Sequence, residues 1–201
     1  MLSISLTVPK IKDILEAIYT DIVEYGSDYF DNGFYLGVIM AALYFFVVYI
    51  CDHRAPNRSR VGHLFSVLLK MVVVVLLSIY GYAVAGITVL SRTPGTIAVV
   101  NLGLMETFSM ERQPLIFIVE NIIMLMPLGF LLPIVWWPAR NFFVCLSIGL
   151  FASLTIESAQ YILECGMFQT DDLLTNVAGT VFGFVIYKAW GKVFHKLQTK
   201  P

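Results

Sequence analysis

Polar and apolar positions along this chain fall into long blocks rather than short alternations. Five apolar runs stand out, at about residues 33–51, 64–90, 115–136, 142–163 and 173–190. Each approaches the ~20 residues a helix needs to cross a bilayer core. Ahead of them, Ile11, Ile14, Leu15, Ile18, Ile22 and Val23 recur at helical spacing. Lys10, Lys12, Asp13, Glu16, Asp21 and Glu24 take the opposite face. This predicts an amphipathic helix over 9–31, too polar to span, lying in the interface plane or over the bundle mouth. The expected fold is all-α: a polytopic transmembrane helical bundle of about five spans with an N-terminal amphipathic interfacial helix. Its parts are an interfacial segment (1–32), the bundle (33–190) and a basic tail (191–201).

Composition sharpens this picture. The 201 residues are 58% hydrophobic and 13% charged, against about half and about a quarter in ordinary soluble domains. That profile belongs to an integral membrane protein. The charge of −1 offers no basic field for nucleic acid. The three cysteines have no CxxC spacing, and the topology separates Cys165 from Cys51 and Cys145, so an internal disulfide is not expected. The first residues, MLSISLTVPKIKD, lack the basic start, apolar run and cleavage site of a secretory signal.

Lysine and arginine set the expected orientation. Arg54, Arg58, Arg60, Arg140, Lys188, Lys192, Lys196 and Lys200 share one side, whereas Lys10, Lys12, Arg92 and Arg112 share the other. Lys70, inside the second span, can snorkel to the first group. The amino terminus is therefore read as outside and the carboxyl terminus as cytoplasmic. On the outer side, the apolar stretch 97–108 is too short to span. It reads as an interfacial or re-entrant segment or a pair of short strands, with Gly95 and Gly103 at the turns. A re-entrant backbone would need a cavity around it.

With that orientation, the polar residues inside the spans collect in one outer layer. Arg92 follows the second span. Glu120 and Asn121 lie about 8–9 Å into the third at ~1.5 Å per residue. Glu157 and Gln160 share one helical face near the end of the fourth. Asp171 and Asp172 open the fifth, with Asn176 one turn in. Ionisable groups at such depths are expensive and mark candidate sites. Gly179 and Gly183 extend the Asp172–Asn176 stripe and permit close approach of a neighbouring helix. Pro127, Gly129 and Pro133 make the third span a candidate broken helix lining a cavity.

Each residue also has a plainer reading. Asp171 or Asp172 can cap the fifth helix. Asn121, Gln160 and Asn176 can serve as interhelical hydrogen bonds worth ~1 kcal/mol each. Arg92 can be an interfacial anchor or a counter-ion for Glu157 or Asp172. Glu157 resists such readings best, because a carboxylate below the interface must be paired, solvated or protonated.

Taken together, these residues resemble the VanZ-like family of small bacterial membrane proteins. Its outline is an Asn–Pro–Gly–Pro helix (Asn121, Pro127, Gly129, Pro133), a Glu-x-x-Gln helix end (Glu157, Gln160) and an Asp-x-x-x-Asn-x-x-Gly helix (Asp172, Asn176, Gly179, with Gly183 beyond). Arg92 is similar to the family's arginine after the preceding span, and the match covers about residues 80–190. Two departures stand out. Many members carry glycine–arginine before the last helix, where this chain has Gly166-Met167. The outer-loop motif reads Asn101-Leu102-Gly103-Leu104. The resemblance implies a bacterial plasma membrane and an association with low-level resistance to teicoplanin-type glycopeptides.

Two functions remain open. In the first, a non-enzymatic envelope protein binds a lipid headgroup, a lipid-linked wall intermediate or a lipoglycopeptide, with Arg92 on the anionic group. Asn121, Glu157, Gln160, Asp171, Asp172 and Asn176 would line the site, with membrane lipids as surroundings and no cofactor or metal expected. In the alternative, an enzyme uses Glu157 as general base with Asp172 orienting it or holding a divalent cation with it. Against the enzyme, no His, Cys or Ser stands in the cluster as a nucleophile beside a base. A transporter is a third option, with no inverted repeat to support it.

Overall fold

The computed structural model describes residues 11–52, 60–103 and 112–198. Expectations that rest on Lys10, Arg54, Arg58, Lys200 and residues 104–108 fall outside them. Five α-helices make the body: α1 (Ile11–Asp52), α2 (Arg60–Ala85), α3 (Arg112–Val135), α4 (Phe142–Ile162) and α5 (Thr170–Gln198). Two short strands join them, β1 (Ile97–Asn101) and β2 (Cys165–Gln169). Among the described residues, five stretches are long and apolar enough to cross a membrane: Tyr29–Ile50, Leu64–Leu90, Leu115–Val135, Phe142–Ile162 and Thr170–Gly191. The all-α, multi-pass bundle is the observed fold class.

One difference concerns the amino-terminal stretch, which is not a separate element. It continues into the first span as a single helix of 42 residues, about 63 Å at ~1.5 Å per residue against a ~30 Å hydrocarbon core. No proline interrupts it, and Gly26, Gly33 and Gly37 do not stop a helix. Gly33 and Gly37 bring α1 against α2, where added Cβ atoms would meet the Ile79 and Val75 Cα atoms at 2.8 and 3.0 Å.

The tightest contact is between α3 and α5. A Cβ at Gly179 would strike the Ile122 carbonyl, one at Gly183 the Met126 carbonyl, and one at Gly129 the Thr180 carbonyl. The two backbones therefore touch, as the glycine stripe on α5 led one to expect. On another face of α5, Gly149 of α4 seats the Thr180 side chain, which makes α5 the most enclosed of the five spans.

The third span corrects an expectation: α3 is one unbroken helix although Pro127 and Pro133 lie inside it. A proline removes a donor and disturbs the carbonyls one turn earlier. Here the Tyr80 hydroxyl of α2 donates to the Met124 carbonyl. A neighbouring helix thus supplies a donor beside Pro127, which is how membrane helices tolerate proline. Gly129, expected to loosen this span, is spent on the contact with α5. The tight turn into α4 is held similarly. Arg140 Nε donates to the Pro133 carbonyl at 3.2 Å, and Asn141 Oδ1 accepts from Phe143 N at 2.9 Å as the α4 N-cap.

At the far end of α4, Glu164 adopts φ 54°, the left-handed conformation that ends helices and suits glycine. Its carbonyl accepts from Thr96 N at 2.8 Å, and Gly95 N donates to the Leu163 carbonyl at 3.3 Å. Replacing Glu164 with glycine should relieve ~1 kcal/mol of backbone strain, raising the thermal midpoint of the detergent-solubilised protein. A lower midpoint would show that the Glu164 side chain contributes more than the strain costs.

β1 and β2 pair in parallel, with Ile97 opposite Cys165 and Asn101 opposite Gln169. The outer loop does not fold its first half onto itself: that half is a strand whose partner arrives 64 residues or more later. Asn101 Oδ1 closes the strand by accepting from Gly103 N at 2.9 Å.

Candidate functional site: a polar layer beneath a β-ribbon

The ribbon ties together one end of the bundle, where α2 and α4 finish and α3 and α5 begin. β2 leads straight into α5 and lies back across the end of α4. Gly166 permits this approach, since a Cβ there would lie 3.0 Å from Arg92 Nη1 and 3.1 Å from Gln160 Cβ. Gly166 thus has a packing reason here, and Arg92 reaches the same spot from the other loop.

Each polar residue of the layer has a described partner or neighbour. Glu157 Oε2 accepts from Gln169 N at 3.0 Å, fastening the last residue of β2 to α4. Gln160 Nε2 donates to the Thr88 carbonyl at 3.0 Å. Thr88 belongs to a single π turn, Gly86–Leu90, at the end of the second span, and such turns expose carbonyls that an α-helix would consume. Asn121 Nδ2 donates to Asp172 Oδ1 at 2.9 Å, linking α3 to α5. Asn176 Nδ2 donates to Ser153 Oγ at 3.0 Å, linking α5 to α4. Thr175 Oγ1 donates back to the Asp171 carbonyl at 3.0 Å within α5. The two acidic residues occupy the first turn of α5, where the helix dipole favours negative charge.

Arg92 is the cation of the layer. Its Nη1 donates to the Cys165 carbonyl at a long 3.4 Å, and its charge attracts both Glu157 and Asp172. The two carboxylates in turn repel each other.

Depth divides these residues. Glu157, Gln160, Asp171 and Asn176 are buried at 2%, 6%, 2% and 1% exposure, whereas Asn121 and Asp172 are half-buried and Arg92 is exposed. The structure therefore brings Arg92, Glu157, Gln160, Asn121 and Asp172 into one layer and sets Asn176 a turn below it. Asn121, Gln160 and Asn176 each make an interhelical bond, so their plainer reading describes contacts that are present. Ser153, Thr88 and the Gln169 N–H went unnoticed in the sequence. Ser153 had a signal, since it sits one turn before Glu157 on the same face of α4. The carbonyl of a π turn and a backbone amide had none.

Cys145 and Cys165 are buried thiols at opposite ends of α4. Among the described residues no group of three His, Cys, Asp or Glu side chains is placed to hold a metal ion.

Membrane-crossing helices that deliver polar groups to one end, beneath a parallel ribbon made from two distant loops, define a small polytopic membrane protein with a roofed polar layer. The VanZ/LLP1 family matches residues 32–191, and the chain belongs to that family. The match reaches back through the first span, beyond the motifs of residues 80–190. Comparison with curated proteins and with solved structures gave no match.

Proposed function

We propose that the ribbon end faces outward from a bacterial plasma membrane and binds the anionic headgroup of a lipid or lipid-linked wall intermediate. Resistance to teicoplanin-type glycopeptides would follow from occupancy of that site. One observation carries this reading: Arg92 is exposed at the rim of a layer that is otherwise mostly buried. A guanidinium presents five donors in a planar fork suited to phosphate, and the described bond of Arg92 uses a single nitrogen at long range. Asn121 and Asp172, half-buried beside it, supply an amide and a carboxylate that can meet hydroxyl or amide groups of the same ligand. The deeper residues act as supports. Glu157 holds β2, and Gln160 holds the turn that leads to Arg92.

The purified chain, titrated with short-chain phosphatidic acid, should bind it and discriminate against the matching phosphatidylcholine. Charge-assisted hydrogen bonds are worth about 1.5–3 kcal/mol, so Arg92→Ala should weaken binding ~10-fold or more. Equal affinity of wild type and Arg92→Ala for phosphatidic acid would count against the reading.

A further inference from the structure

Below the layer, α4 and α5 bring three polar side chains together before their contact turns apolar at Phe142 and Phe184. Ser153, Asn176 and Thr180 are exposed by 0%, 1% and 1%. Ser153 accepts from Asn176 Nδ2, and Thr180 Oγ1 approaches the Asn176 carbonyl at 3.4 Å. Gly149 keeps the helices close enough for this, since any Cβ there would collide with the Thr180 hydroxyl.

Within this interface Asn176 Oδ1 is buried and receives no hydrogen bond from the described residues. The Asn176–Ser153 bond accounts for the amide nitrogen and leaves the oxygen unexplained. A buried acceptor without a donor is costly in any protein, and more so at membrane depth, where bulk water cannot compensate. One turn toward the ribbon lie Glu157, after Ser153 on α4, and Asp172, before Asn176 on α5. The immediate surroundings offer oxygen atoms, which suit something electropositive.

We infer that Asn176 Oδ1 and Ser153 Oγ hold a small electropositive guest, a sodium ion or a water molecule, between α4 and α5. A water would donate to Oδ1 and accept or donate at the hydroxyl. A sodium ion would take both oxygens as hard ligands, as oxygen donors suit hard cations. The site lies inside the bundle and does not depend on any ligand at the ribbon end.

Crystals of the full chain grown in sodium chloride, with a parallel set grown in a thallium(I) salt, test this directly. The expected result is a density peak within about 3 Å of Asn176 Oδ1. An anomalous signal from thallium at that peak makes the guest a cation, and a peak without it, in a protein whose thermal midpoint does not respond to sodium, makes the guest water. No peak in either crystal overturns the inference. A solution experiment uses thermal unfolding in sodium chloride against choline chloride at equal ionic strength. A cation raises the midpoint saturably by several degrees, and the rise should vanish in Asn176→Leu and shrink in Ser153→Ala, the milder change. A sodium-dependent rise of full size in both variants would place the ion elsewhere and overturn the assignment.

Discussion

Gly183→Val abolishes the native bundle, with a loss of about 3 kcal/mol or more, while Gly191→Val leaves it intact. A Cβ at residue 183 falls on the Met126 carbonyl and also meets the Phe130 nitrogen at 2.9 Å. The obstacle is backbone, so no rotamer change on α3 relieves it. The helices must separate, and the contacts at Gly129 and Gly179 go with them. Overpacking a core typically costs about 1–3 kcal/mol where side chains can yield, and here they cannot. Gly191 lies on the same helix with nothing within 4 Å of an added Cβ, so it controls for the substitution itself. Size-exclusion profiles and protease sensitivity of the two variants, at equal membrane insertion, measure the difference. Equal behaviour would mean that α3 and α5 do not pack backbone to backbone.

The second large effect concerns the ribbon. In Glu157→Leu, amide exchange across 165–169 should accelerate about 10- to 100-fold, because the Gln169 N–H loses an ionised or polar acceptor worth about 1.5–3 kcal/mol. Glu157→Gln keeps an oxygen at the same reach and should preserve most of the protection. Hydrogen exchange read by mass spectrometry separates the two. Unchanged exchange in Glu157→Leu would show that β1, and not α4, holds the ribbon down.

Glu157 also illustrates how far the sequence could be read. A carboxylate three residues from Gln160 on an apolar helix announced a polar layer, and the end of the bundle where that layer lies was legible from spacing alone. Span positions were equally legible, since bilayer thickness fixes helix length. Partners were not. Gln169 reaches Glu157 through its backbone, which carries no side-chain signal. Gln160 reaches a carbonyl released by a π turn, a defect with no periodicity of its own. The pairing of 97–101 with 165–169 depends on a crossover through α3 and α4, which local alternation cannot encode. The prolines of the third span misled for a related reason: α3 continues through both, and a carbonyl one turn before Pro127 takes its bond from Tyr80, a residue on another helix. The glycines gave the opposite lesson. Gly179 and Gly183 marked a helix contact correctly, and only coordinates could add that Gly129 completes it from the other side.

Antibiotic susceptibility of cells expressing wild type, Arg92→Ala and Asp172→Asn, with membrane levels matched by blotting, measures most directly whether the ribbon-end layer is the working site. The proposal predicts that wild type protects against teicoplanin and that both variants lose protection while remaining inserted. Full protection from both variants at matched levels would contradict it and leave the layer a structural joint between helices.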